Sequence, residues 1–330
     1  MSRAIVLLSG GLDSCLAVRV LQEQGVEVVA VNFQTPFCQD GGAGGSCGSA
    51  TKVADALGLP LRVLYLGDEF LRIVEKPPHG HGKNMNPCID CRILMLKRAG
   101  ELMAAAGAAF VATGEVVGQR PMSQHLKAMK EVEKECGLTG LVLRPLCAKL
   151  LEPTIPEKEG WVDRERLLSL SGRTRKEQFR MAREANLSYT PSPAGGCLLT
   201  DPGYSNRLKD FLGHGGELTA HTATLLRYGR HFRLSESVML MVGRNKGEND
   251  QLESLQDESE TIFRQVNCLG PVALGRGAFT GAIRQAAAAQ IASHTDRPPD
   301  GLVVLEMRVG KSGEPVRLEV AVPPSADTST

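Results

Sequence analysis

The sequence predicts an α/β protein, a parallel sheet covered by helices, followed by a smaller α+β module. Three observations predict it. Apolar runs alternate with helical patterns as far as Leu146, glycine-containing turns follow the strands, and near Gly213 the pattern changes to short, closely spaced strands.

Arg3 to Leu8 is an apolar run that reads as a buried parallel strand. Ser9, Gly10, Gly11, Leu12, Asp13 and Ser14 follow at once, and a helical pattern then runs to Glu23. A strand, a glycine turn and a helix start make an anion site. The glycines let backbone approach an oxyanion, and the serines and first-turn amides donate to it. Pyrophosphate suits such a site. A Walker A loop needs Lys-Ser or Lys-Thr after its second glycine, and the Rossmann fingerprint needs a third glycine; neither is present. The plain alternative, a turn joining strand to helix, would account for a lone Gly-Gly pair.

Val26 to Phe33 reads as the second strand, which makes the opening a right-handed βαβ unit. Cys38 to Cys47 is too glycine-rich to be anything but a loop, and its two thiols, which could relay sulfur, are expected to be incidental and to stand outside the core site. Ser49 to Leu57 has helical spacing, and Pro60 to Leu66 reads as a third strand. Periodicity then stops. Prolines and glycines from Lys76 onward mark a loop that delivers Cys88-x-x-Cys91 to a helix spanning Arg92 to Ala106. A helix N-terminus lowers a thiol pKa, so both cysteines are expected to be thiolate-prone.

Phe110 to Thr113 is the next strand, and it runs into a polar segment from Gly114 to Gln124. Gln119, Arg120, Ser123 and Gln124 are donors beyond a strand's carboxyl end, where open α/β sheets bind ligands. Leu141 to Leu146 reads as a further strand. Val162 to Arg183 is a helical stretch with seven Arg or Lys against three acids, which suits either phosphate contact or a solvated face.

Cys88, Cys91 and Cys197 are the thiols whose contexts suggest chemistry. Three readings fit them: a closed zinc site completed by His79 or His81, a persulfide with a resolving thiol, and an iron–sulfur cluster on three cysteines. Asp90, inside the CxxC, reads as an acid, a base or a substrate-orienting group, or else as a solvated carboxylate.

Composition sets the outer bounds. The chain has 330 residues, enough for two domains, with 42% hydrophobic and 23% charged residues, as in ordinary globular proteins. A net charge of +1 gives no global nucleic-acid signature. Without an apolar run of membrane-spanning length or a signal peptide, the chain is expected to be cytoplasmic, with no membrane partner. Nine cysteines in that setting argue for thiol or metal chemistry over a disulfide framework.

Ser9 to Ser14 resembles the SGGxDS loop of the PP-loop ATP pyrophosphatases, which cleave ATP between the α and β phosphates and adenylate a substrate oxygen. Thr113 to Gln124 resembles the TGExxGQ…SQ element of the tRNA 4-thiouridine sulfurtransferases, and the likeness continues through Pro191 to Asp201. The resemblance implies a Rossmann-like parallel sheet of the PP-loop, adenine nucleotide alpha hydrolase-like type. It implies ATP bound by Ser9, Gly10, Gly11, Asp13 and Ser14, with magnesium near Asp13 and adenine against Asn32 and Phe33. Gly114 would pack on the nucleotide, and Gln119, Ser123 and Gln124 would border the reacting centre. Cys88, Cys91 and Cys197 match the CxxC plus one distant cysteine of the iron–sulfur-dependent tRNA thiolases, which favours a 4Fe-4S cluster over the persulfide pair.

The expected activity is ATP-dependent tRNA thiolation, at uridine C4 in preference to C2. Sulfur would come from a separate donor, a cysteine desulfurase or free sulfide. Residues 1–213 form the ATP-binding and thiolation domain in this reading, 214–322 an α+β RNA-binding domain, and 323–330 a disordered tail. Val242 to Asn249 resembles the VGRN…N element of an RNA-binding module of ribosome quality-control factors, and Arg227 to Lys246 carries five Arg or Lys against one acid. Two other classes compete: a regulatory RNA-binding protein with an idle loop, and a PP-loop amidotransferase or synthetase acting on a small molecule.

Overall fold

The structure, a computed structural model, describes residues 2–38, 46–185, 197–296 and 298–322. Expectations about the 39–45 loop, the Gly195-Gly196 turn and the 323–330 tail fall outside those residues. The chain divides into two units after Ser205.

The first unit contains β1 (Arg3–Leu7), α1 (Leu12–Gln22), β2 (Glu27–Gln34), α2 (Ser46–Ala56), β3 (Leu61–Tyr65) and α3 (Asp68–Glu75). It continues with α4 (Cys88–Ala106), β4 (Phe110–Thr113), α5 (Leu126–Glu135), β5 (Val142–Leu143), α6 (Ile155–Lys158) and α7 (Lys176–Glu184). All five strands are parallel, in the order β3-β2-β1-β4-β5. β1 lies at the centre with Ala4, Ile5 and Val6 fully buried, which is why its sequence is an unbroken apolar run. Winding reverses between β1 and β4. The crevice of an open α/β sheet therefore opens beyond the carboxyl ends of those two strands. α1 closes one face, its Leu12, Leu16 and Leu21 packed with Val6, Val28 and Phe110.

Several elements differ from expectation. The strand expected over Leu141 to Leu146 is only two residues long. Pro145 has no N–H for the ladder, and the carbonyls of Pro145 and Leu146 accept instead from Leu168 and Leu170 at 2.9 and 2.8 Å. α4 starts at Cys88, not Arg92, so the whole CxxC lies in its first turn. α3 and α5 were not marked by the pattern; each is short and buries three residues, such as Phe70, Leu71 and Val74 of α3. Val162 to Arg183 is not one helix: it holds a 3-10 turn at Arg164–Arg166 and most of α7.

α8 (Pro202–Gly213) contains the division, and Gly213 ends it. The second unit then has α9 (Ala220–Leu225), β6 (Arg230–Ser235), β7 (Val238–Val242), α10 (Lys246–Leu255), β8 (Glu260–Gln265), β9 (Ala273–Arg276), α11 (Gly281–Ala292), β10 (Leu302–Val309) and β11 (Val316–Ala321). Its sheet is antiparallel, ordered β11-β10-β8-β9-β7-β6. α11 buries Ala287, Ala288 and Ile291 against Leu240, Phe263 and Leu305. The VGRN…N element has a structural role here. Asn245 caps α10 by accepting the Glu248 N–H at 3.0 Å, and Asn249 Oδ1 accepts the Val272 N–H at 3.1 Å.

Among the described residues, no helix is long and apolar enough to cross a membrane.

Candidate functional site

Ser9 to Ser14 forms the turn between β1 and α1, at the reversal point of the sheet. Gly10 has φ 75°, a left-handed conformation that glycine adopts without a Cβ clash. The hydroxyls are already organised: Gly11 N–H donates to Ser9 Oγ at 3.3 Å, and Ser14 Oγ donates to the Gly11 carbonyl at 2.9 Å. Ser9 Oγ and Ser14 Oγ lie 3.2 Å apart. Gly11 is the N-cap of α1 and makes no side-chain hydrogen bond to the amides of its first turn.

Gly114 follows β4 directly and seals this loop from the other side. A Cβ on it would sit 2.5 Å from the Ser14 backbone nitrogen and 2.6 Å from the Asp13 carbonyl oxygen. Only glycine lets the two backbones come so close. The segment then turns at Val116 to Gln124, where Gly118 N–H donates to the Gln124 carbonyl at 2.6 Å. Gln119, Ser123 and Gln124 are all buried. Gln119 Nε2 donates to Asp13 Oδ2 at 2.6 Å, and Gln119 Oε1 accepts from Gln178 Nε2 at 3.1 Å. Arg175 Nε lies 3.5 Å from the same Asp13 oxygen.

Among the described residues, three acceptors in this region are buried without a hydrogen-bond partner: Asp13 Oδ1, Asn32 Oδ1 and Gln124 Oε1. Such groups are costly unless a ligand or water meets them. Asn32 is pinned at the tip of β2 by its Nδ2, which donates to the Leu8 carbonyl at 2.8 Å; Phe33 beside it is buried in the sheet. An orphan carboxylate oxygen on Asp13 suits a cation, and an orphan amide oxygen on Asn32 suits an exocyclic amine.

The 114–124 segment also reaches the thiols. Asn86 Nδ2 donates to Cys88 Sγ at 3.2 Å and lies 3.7 Å from Met122 Sδ. The Arg120 charge acts on Cys197. Cys38, expected outside the site, forms an antiparallel bridge with Cys197. None of the eight described cysteines is in a disulfide. The thiolate expectation is corrected for Cys91. Desolvation raises the Cys91 thiol, and the neighbouring thiols Cys197 and Cys88 add to the rise. Burial likewise pushes Cys197 up to about 12. In the metal-free protein burial outweighs the helix terminus, and a cation at the sulfurs would reverse that balance.

Both histidines offered as zinc ligands are turned elsewhere. His79 Nδ1 lies 2.8 Å from Asp90 Oδ1 and its Nε2 3.0 Å from Glu135, while His81 Nε2 donates to the Val74 carbonyl at 2.8 Å. The hydrogen bond to Asp90, outweighing desolvation, holds the His79 imidazole above its ordinary value. Asp90 is not a solvated carboxylate: it is buried and also takes the His79 N–H at 3.2 Å, so it ties the loop to α4.

Glu115, inside the TGExxGQ…SQ element, carries no role that the sequence pattern reveals. It is buried between Arg92 Nε and Arg144 Nε, each at 3.0 Å, and accepts from Thr113 Oγ1 at 3.2 Å. Burial would raise its carboxyl, but the two arginines overcome this and hold it below the usual range. Arg92 follows Cys91, so this ion cluster joins the thiol helix to the end of β4. Gln178 and Arg175 were likewise missed, since no local pattern links them to Asp13. Of the basic residues before and within α7, Arg180 pairs with Glu177 and Glu184 at 2.9 and 2.7 Å. Arg164 pairs with Glu157. In the second unit Arg233 pairs with Asp210 at 2.6 Å and Arg244 with Glu248, while Arg230 and Lys246 are exposed.

A five-stranded parallel sheet with this turn at its reversal point defines a nucleotide-binding domain of PP-loop type. Residues 1–151 match the family described as thiamine biosynthesis protein (ThiI), and residues 229–328 match the family described as NFACT protein RNA binding domain. Curated relatives include the tRNA-specific 2-thiouridylase MnmA of Trichlorobacter lovleyi, 34% identical over 36% of this chain and 34% of that protein. The enzyme of the same name from Heliobacterium modesticaldum is 36% identical over 33% of this chain and 31% of that protein. The chain thus spans about a third of the length of these relatives. Among solved structures, a 4-thiouridine synthetase in complex with RNA and ATP is similar at 25% identity and TM-score 0.42, covering 61% of this chain and 45% of that one. The U34-tRNA thiolase NcsA from Methanococcus maripaludis, with its 4Fe-4S cluster, is similar at 17% identity and TM-score 0.37, covering 69% and 74%.

Proposed function

We propose that the chain is an ATP-dependent tRNA sulfurtransferase that adenylates a uridine carbonyl oxygen and replaces it with sulfur. One observation carries this reading: a single segment, Gln119 to Met122, touches Asp13 of the phosphate loop at one end and the Asn86–Cys88 pair at the other. Adenylation and sulfur delivery need that adjacency, because the oxygen activated at one place must leave as sulfur arrives from the other.

ATP would place its phosphates on Ser9, Gly10, Gly11 and Ser14, with first-turn amides of α1 as donors. Asp13 Oδ1 would face the magnesium that screens their charge, and Asn32 Oδ1 would accept the adenine amine. Gln119 keeps Asp13 aimed, and Ser123 and Gln124 offer polar groups to the base. The uridine oxygen attacks the α phosphorus, its P–O bond forms, and pyrophosphate leaves. A carbonyl oxygen is a poor leaving group and AMP a good one, so sulfur can then add at the carbon and expel AMP. Cys88, Cys91 and Cys197 would hold a 4Fe-4S cluster by their donor chemistry; when bound, such a cluster supplies an iron without a protein ligand, open to sulfide. The second unit would grip the tRNA.

The likeness of Thr113 to Gln124 to the 4-thiouridine enzymes favours C4. Similarity to the 2-thiouridylases supports C2 as a second reading. Both are resolved by one assay in which anaerobically reconstituted protein is given tRNA, ATP, magnesium and sulfide, and the digested nucleosides are analysed by mass spectrometry. Thiouridine with AMP and pyrophosphate in step supports the proposal, and the isomer fixes the position. AMP formed only with a small-molecule acceptor, or no ATP cleavage at all, would overturn it.

A further inference from the structure

Cys38 and Cys197 lie opposite each other in an isolated antiparallel bridge. The surrounding hydrogen bonds show which kind of pair they form. Leu198 N–H donates to the Phe37 carbonyl at 3.0 Å, whereas Cys38 N–H turns back to Thr35 at 3.1 Å and the Cys197 carbonyl takes Thr200 N–H at 2.9 Å. The two cysteines exchange no N–H···O bond with each other. They are a non-hydrogen-bonded pair, the arrangement that brings Cα atoms to about 4.5 Å and side chains closest. A disulfide accepts Cα separations of roughly 4.4 to 6.8 Å. Cys38 is positioned by Thr35, whose N–H donates to its Sγ at 3.3 Å.

We propose that Cys38 and Cys197 are a redox pair whose disulfide withdraws Cys197 from the set it forms with Cys88 and Cys91. The regulatory part rests on the thiol set proposed above. With a low-molecular-weight disulfide as oxidant, the Cys38 thiolate attacks one oxidant sulfur, forming a mixed disulfide and releasing one thiolate. Cys197, after losing its proton, attacks Cys38 Sγ, the mixed disulfide breaks, and the second small thiolate leaves. Two protein thiols become one disulfide, and one small disulfide becomes two thiols. The closed form has lost a sulfur ligand and cannot hold a three-cysteine cluster. A CxxC competes for oxidation in principle, but Cys88 and Cys91 are held in the first turn of α4 and the Asn86 amide engages Cys88.

The test uses the whole 330-residue chain, metal-free and reduced, and glutathione disulfide, with alkylation, digestion and disulfide mapping over time. A linked Cys38–Cys197 peptide should form first, while Cys88 and Cys91 remain alkylated. Cys38→Ser, checked for an unchanged melting temperature and replaced by Cys38→Ala if it misfolds, should lose that peptide. Cys88–Cys91 or Cys91–Cys197 forming first, or full alkylation of all four throughout, would overturn the pairing. In parallel, iron uptake on reconstitution should fall at least several-fold after oxidation of the wild type and hold in the oxidised Cys38 variant. Uptake unaffected by a mapped disulfide would overturn the withdrawal of Cys197. A reduced protein that takes up no iron would instead remove the cluster and the regulatory step, leaving the mapping to decide the pairing alone.

Discussion

Gln119 and Asp13, 106 positions apart in sequence, are joined by a 2.6 Å hydrogen bond from Nε2 to Oδ2. Gln178 holds the other end of the Gln119 amide, so one buried side chain fixes the carboxylate of the phosphate loop to α7. Replacing it by alanine leaves polar groups unmet, at a cost of about 1–3 kcal/mol. Gln119→Ala is therefore expected to lower both stability and ATP cleavage, the latter about tenfold or more. Denaturant titration and AMP release measure the two. A stable variant with unchanged turnover would remove Gln119 from the account.

Gly114 has a sharper requirement, because what a Cβ would meet is backbone rather than a flexible side chain. Gly114→Ala is expected to push the Asp13–Ser14 peptide out of place and weaken ATP binding more than tenfold. Isothermal titration with a non-hydrolysable ATP analogue checks this, with the circular dichroism spectrum unchanged.

Glu115 holds two arginines at the end of β4, and Arg144 is as buried as Glu115 itself. Removing one partner of a buried pair costs about 3–5 kcal/mol, since the other charge is left unmet. Glu115→Ala is expected to destabilise the first unit by that order. Its carboxyl is held below the usual range in the folded protein, so this contribution is present above an ordinary carboxylate pKa and lost as pH falls through the folded value. Unfolding titrations at neutral and acidic pH should therefore differ less in the variant than in the wild type.

The parallel sheet, the phosphate turn, the CxxC helix and most strands of the second unit could be read from sequence because each is a local pattern. β1 shows as an apolar run and the turn as a glycine pair beside serines. The rest of the site is made of long-range pairs. Nothing near Gln178 or Arg175 points to Asp13, and nothing near Cys38 points to Cys197. Glu115 lies within the motif, but its partners Arg92 and Arg144 come from distant parts of the sequence. The thiols were misjudged for a related reason: helix position is local, whereas desolvation depends on the whole fold.

The second unit has its own acid response. His231 Nε2–H donates to the Tyr228 carbonyl at 2.9 Å, while Nδ1 is buried with no hydrogen-bond partner among the described residues. Burial, with help from nearby Arg207, pushes this imidazole down to about 4. The unfolded chain, with an ordinary value near 6.5, then binds the extra proton first. Stability is expected to be flat above neutrality and to fall between those two values, by at most about 1.4 kcal/mol per pH unit. His231→Gln should flatten that slope in chemical denaturation, and an equal slope in the variant would assign it to other groups.

The central claim is that the uridine oxygen itself attacks the α phosphorus. Transcript tRNA carrying oxygen-18 at the uridine carbonyl, incubated with the reconstituted protein, ATP and sulfide, tests it in a single mass spectrum of the AMP released. The account predicts one heavy oxygen in each AMP formed per thiouridine. AMP without the label, alongside thiolated tRNA, would mean that water or another group cleaves ATP, and would contradict it.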